Sequence, residues 1–123
     1  MRGRAMAEAA LYIGWGAPTR GREKHALDVF SESMQYYGRL QQEGKLENVE
    51  VAILNPTGGD VGGFFLLRGT AQQVDSLRRD EEFQDLLTRV QMIADGLRIT
   101  DAIVDEGIAQ QISRFDKVVG QLA

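Results

Sequence analysis

Short apolar stretches, some alternating with a period of two and one continuous, are separated along this chain by longer stretches in which apolar residues recur near every 3.6 residues. From Ala10 to Trp15, Leu11, Ile13 and Trp15 share one side and Tyr12 and Gly14 the other, which predicts a strand. Gly16 to Gly21, with Pro18 inside it, reads as a loop. Arg22 to Glu43 reads as a long helix. On a helical wheel Ala26, Leu27, Phe30, Met34, Tyr37 and Leu40 fall in one apolar arc, opposite Asp28, Ser31, Glu32, Gln35 and Arg39. Gly44 is placed to end that helix in a left-handed conformation. Val49, Val51 and Ile53 mark a second strand, and Asn55 to Asp60 is a turn. Val61 to Arg68 reads as the hairpin partner. Thr70 and Gln73 then form a capping box. The helix they open is expected to break near Arg79-Asp80, with Asp80 as a second N-cap. Leu97 to Val104 reads as a fourth strand. Ile108, Ile112, Phe115, Val118, Val119 and Leu122 mark a C-terminal amphipathic helix.

The first six elements run strand, helix, strand, strand, helix, strand. That is the split βαβ, ferredoxin-like order, an α+β domain with a four-stranded antiparallel sheet, here with an extra C-terminal helix. We read residues 10–123 as one such domain and residues 1–9 as a disordered leader or an over-extended start. In this topology the helices cover one face of the sheet. The third strand carries Phe64, Phe65, Leu66 and Leu67 in a row, which puts large apolar side chains on both faces. An open face of that kind is an interaction surface. The expected partner is a second copy, stacked open face to open face in a homodimer.

The element order and the two-faced strands, from Ala10 to Glu106, resemble the dimeric α/β barrel superfamily. That superfamily includes small monooxygenases of the antibiotic-biosynthesis type, haem-degrading enzymes and stress-responsive proteins. The resemblance implies a homodimer with a ligand pocket between the first helix and the sheet. Haem-degrading members use an Asn, a Trp and a His in set positions. Trp15 and His25 do not reproduce that pattern, so this activity is not carried over and no cofactor is expected.

Six residues are the candidates for such a pocket: Tyr12, Trp15, Ser33, Tyr37, Gln41 and Arg68. Ser33, Tyr37 and Gln41 are polar groups in the arc that faces the sheet, so they either satisfy one another or line a cavity. Tyr12 and Trp15 are core aromatics or the wall of a flat-ligand site, with Gly14 leaving room between them. Arg68 shares a face with Phe64 and Leu66 and is either an anion anchor or the partner of Asp101 or Asp105. His25, the single histidine, lies near Asp28 and Glu32 on its helix. With Tyr37 and Arg68 it completes the set of groups able to move a proton or stabilise an anion. Two carboxylates beside one histidine also suit an ordinary solvated helix face, and no metal site is expected. Arg20, Arg22 and Lys24 cluster at the start of that helix. The glycine pairs at 58–59 and 62–63 do not make a phosphate loop, since no Lys-Ser or Lys-Thr follows.

Bulk composition narrows the function further. A net charge of −4 argues against general nucleic-acid binding. No apolar run is long enough for a membrane span. The lack of cysteine removes disulfides and thiolate chemistry and fits a cytoplasmic protein. Two functions are consistent with these features. One is a small-molecule-binding protein or cofactor-independent enzyme, monooxygenase-like or isomerase-like. The other is a non-catalytic homodimeric interaction or stress-related module. An open pocket favours the first, and a filled core with Tyr37 and Gln41 satisfied internally favours the second.

Overall fold

The computed structural model describes residues 7–55 and 59–122. Its elements are β1 (Ala9–Trp15), α1 (Glu23–Gln42), β2 (Asn48–Ile53), β3 (Gly63–Gly69), α2 (Ala71–Arg79), α3 (Glu81–Ile93), β4 (Arg98–Ala102) and α4 (Glu106–Leu122). The strands form one antiparallel sheet in the order β2-β3-β1-β4. This is the ferredoxin-like α+β arrangement expected from the element order, with the second helix split in two and α4 added.

Strand parity assigns the faces. Register pairs Leu11 with Leu67, Ile13 with Phe65 and Trp15 with Gly63. Leu11, Ile13, Phe65 and Leu67 are buried under Tyr36, Tyr37 and Leu40 of α1, Val74 and Leu77 of α2, and Phe83 and Leu86 of α3. The opposite face presents Ala10, Tyr12 and Gly14 of β1, Phe64, Leu66 and Arg68 of β3, Glu50 and Ala52 of β2, and Arg98, Thr100 and Ala102 of β4. Among the described residues no helix packs on that face.

Local signals explain the boundaries. Thr70 Oγ1 accepts from the Gln73 N–H at 3.0 Å, and Gln73 Oε1 accepts from the Thr70 N–H at 2.8 Å, so the capping box is complete. Gly44 ends α1 at φ 76°, as expected. Asp80 does separate α2 from α3, but its side chain makes no cap bond. Its Oδ2 instead accepts the Tyr36 hydroxyl at 2.6 Å, because α1 crosses this junction. Arg39 of α1 reinforces the crossing with two hydrogen bonds to Glu82 at 3.0 Å.

Three expectations need correction. The apolar arc of α1 is rotated: Leu27 is 71% exposed and Met34 is also exposed, while Ser33 and Tyr36 are buried. The sheet side follows Ala26, Phe30, Ser33, Tyr37 and Leu40, flanked by Val29 and Tyr36. β4 is shorter than Leu97 to Val104, since the chain turns out of the sheet at Asp105, φ 55°. Order also begins before Ala10: Ala7 is buried, and the Glu8 carboxylate accepts from the Ala71 N–H at 3.0 Å. The remainder of the expected leader, residues 1–6, and residues 56–58 of the expected turn lie outside the described residues.

Candidate functional site

Three loops meet at the C-terminal end of β1. Backbone hydrogen bonds lace them together: Gly16 N–H to Asp95 O at 2.7 Å, Asp95 N–H to Ala17 O at 2.9 Å, Thr19 N–H to Ile93 O at 2.8 Å, and Gly62 N–H to Trp15 O at 2.6 Å. Between this rim, α1 and the helix-covered face of the sheet lies a cleft of about 880 Å³. That volume is in the range of sites for drug-sized ligands.

Aromatic side chains make its floor. The Trp15 ring lies 5.8 Å from Phe30 and 5.5 Å from Phe65, and Tyr37 meets Phe65 edge-on at 4.8 Å. Gly63 permits this arrangement. A Cβ there would stand 2.6 Å from the Trp15 ring, so a side chain at 63 would push the indole into the cleft. Ile13, Val29, Val90 and Ile93 complete the apolar wall.

Polar groups are few. Ser33 lines the cleft, but its hydroxyl donates to its own helix, to Val29 O at 2.8 Å. Tyr37 is 2% exposed and lines the cleft as well. Among the described residues no hydrogen bond reaches its hydroxyl, although buried tyrosines normally find a partner. Burial holds this phenol protonated well above its ordinary range, so it offers a neutral donor. Charge is confined to Glu23, Asp60, Asp95 and Arg98, and Arg98 Nη2 donates to Asp60 Oδ2 at 2.7 Å.

The structure therefore brings together three of the six expected pocket residues, Trp15, Ser33 and Tyr37. Tyr12 and Arg68 are on the opposite face of the sheet, because strand parity separates them from Trp15. Tyr12 stacks on Phe64 at 5.5 Å. Its ring also occupies the space above Gly14, so that glycine opens no room for a ligand. Arg68 contacts Glu50 at 2.7 Å and Asp105 at 3.4 Å, which fulfils the ion-pair alternative; Asp101 pairs with Arg78 instead. Gln41 is exposed, as is His25, so neither lines the cleft. Among the described residues no three His, Asp or Glu side chains gather as metal ligands. Arg20, Arg22 and Lys24 are solvated. Sequence reasoning missed Val29, Pro18, Asp60, Val90, Ile93 and Arg98. Of these, Val29 flanks the four-three spacing through Ala26, Phe30, Ser33, Tyr37 and Leu40, and Val90 and Ile93 continue the helical stripe of Phe83, Leu86 and Leu87; the others carried no usable signal.

No protein-family model and no curated protein matches the sequence. Two solved structures share the fold. A dimeric protein of unknown function with a ferredoxin-like fold, from Bacteroides fragilis, superposes with a TM-score of 0.57 at 10% identity, covering 76% of this chain and 94% of that one. SnoaB, a cofactor-independent oxygenase from Streptomyces nogalater, superposes with a TM-score of 0.51 at 9% identity, covering 78% and 92%. The ferredoxin-like α+β fold that the element order predicts is thus one that solved structures share. Both neighbours are matched over more than nine-tenths of their length, whereas about a quarter of this chain is left uncovered by each match. No helix among the described residues is long and apolar enough to cross a membrane.

Proposed function

We propose that this protein binds a small, flat, largely apolar molecule in the cleft between α1 and the sheet, and that it does so as a homodimer. The carrying observation is the open aromatic cleft with Tyr37 at its wall, a tyrosine whose hydroxyl takes no hydrogen bond among the described residues. A ligand carbonyl or ether oxygen satisfies that donor, while Trp15, Phe30 and Phe65 supply stacking surface. Three carboxylates against one arginine at the cleft favour a neutral ligand over an anionic one. The homodimer reading rests on the unhelixed sheet face, with Phe64, Leu66 and Tyr12 at its centre, and on the dimeric neighbour of the same fold.

An oxygenase of the kind named for SnoaB is the catalytic version of this reading. Of the three candidates for chemistry, His25, Tyr37 and Arg68, only Tyr37 lines the cleft. Its role there is to donate to a substrate oxygen, since burial keeps it neutral.

Trp15 is the one tryptophan of the chain, so its fluorescence reports the cleft directly. Titration with neutral polycyclic aromatic probes is expected to quench or shift the emission saturably. Tyr37→Phe is expected to weaken a carbonyl-bearing probe by roughly tenfold, the worth of about one hydrogen bond. Emission that stays unchanged across the whole probe set contradicts the binding function.

A further inference from the structure

α4 carries Ile108, Ile112, Phe115, Val119 and Leu122 at successive spacings of four, three, four and three residues, with Val118 beside them. No residue of α4 is buried, and among the described residues the helix packs against no other strand or helix. Phe115 is 69% exposed and Leu122 is 83% exposed. Alternating four-three spacing aligns side chains along a seam that fits the same seam on another helix. β-branched Ile112 and Val119 take one of the two seam positions, and Ile108, Phe115 and Leu122 take the other.

We propose that α4 is a dimerisation arm, in which the apolar seams of two copies of this chain pack on one another. The inference rests on the homodimer reading and assigns it a second contact. Area supports the occupant. At roughly 100 Å² for each of six apolar side chains, α4 offers about 600 Å², against the ~800 Å² per partner of a standard interface. The seam is therefore at the upper end of the apolar patches that monomers expose, a size that marks interaction sites, and too small to hold a stable dimer by itself. The open sheet face supplies the remainder, and the two surfaces are joined. Arg68, on that face, reaches past the small Ala10 to Asp105, the residue that turns the chain into α4. Their side chains are only 11% and 14% exposed, so the arm leaves the domain from a fixed point at the edge of the open face.

The chain has no cysteine, which makes single-cysteine cross-linking clean. Phe115 is the midpoint of the seam, so Phe115→Cys meets its own copy whether the two helices run parallel or antiparallel. Under mild oxidation Phe115→Cys is expected to form a covalent dimer, and Gln110→Cys, on the other side of α4, is not. In light scattering, Ile112→Glu is expected to weaken the dimer at least about tenfold. Its circular dichroism should stay native, because no other described strand or helix of its own chain packs on α4. A dimer that survives Ile112→Glu unchanged but is lost in Leu66→Asp keeps the sheet-face dimer and overturns the arm. Equal cross-linking of Phe115→Cys and Gln110→Cys also overturns it. A wild-type chain that is monomeric across the accessible concentration range overturns the arm and the homodimer reading together.

Discussion

The two neighbouring tyrosines of α1 show how one residue type serves two purposes within a single turn. Tyr36 donates to Asp80 at 2.6 Å and is part of the clasp between helices. Tyr37 is as deeply buried, yet its hydroxyl faces no protein partner among the described residues. Deleting a satisfied buried group leaves its partner behind, whereas deleting an unsatisfied one removes a desolvation cost. Tyr36→Phe is therefore expected to lower stability by about 1 kcal/mol, and Tyr37→Phe to leave it unchanged or raise it, as read by chemical denaturation near neutral pH. The pH dependence has the same origin. Burial raises the Tyr37 pKa above its unfolded value of 10.0, so its contribution is whole below about pH 10 and declines as pH rises further. The decline approaches ~1.4 kcal/mol per pH unit while the unfolded phenol alone is ionised. Above pH 10 Tyr37→Phe should thus lose stability less steeply than wild type; equal slopes would show that Tyr37 is not buried in the folded protein.

At the scale of elements, β3 decides most of the outcome. Its four apolar residues alternate between the core and the open face, so neighbours in sequence have unlike roles. Phe65→Ala should cost about 3–5 kcal/mol, since it removes the ring at the centre of the Trp15, Phe30 and Tyr37 cluster. Leu66→Asp should leave the monomer folded and act on association. Thermal melting and light scattering on the two variants separate these effects, and a melting loss for Leu66→Asp as large as for Phe65→Ala would contradict the face assignment. The strands were legible in the sequence because their period is two and one shifted residue would reverse both faces. The capping box was legible because it is entirely local. The face of α1 was harder to read. Leu27 and Met34 are apolar but exposed, and they pulled the arc away from Ser33 and Tyr36, whose burial depends on the crossing at Asp80. Placing Tyr12 and Arg68 in the pocket failed for a related reason. Both are near the first helix in sequence or strand order, but their parity puts them beneath the sheet. The rim residues Asp60 and Arg98 come from a loop and a strand end that converge only in the folded chain, and no local pattern announces them.

For the whole molecule, the sheet divides the work. The helix-covered side holds the cleft, and the open side with α4 holds the surface left for a second copy. Apart from Arg98, which starts β4 on the open face and also lines the cleft rim, the two are separated by the thickness of the sheet, so association and ligand binding can be perturbed independently. Native mass spectrometry of the protein purified from cells, repeated after incubation with neutral aromatic probes, reads both at once. The account predicts a dimer mass carrying up to one bound small molecule per chain, with the bound molecule reduced in Tyr37→Phe and the dimer mass unchanged in that variant. A dimer that stays ligand-free with every probe would contradict the binding function, and a monomer mass would contradict the assembly on which the open face and α4 have been read.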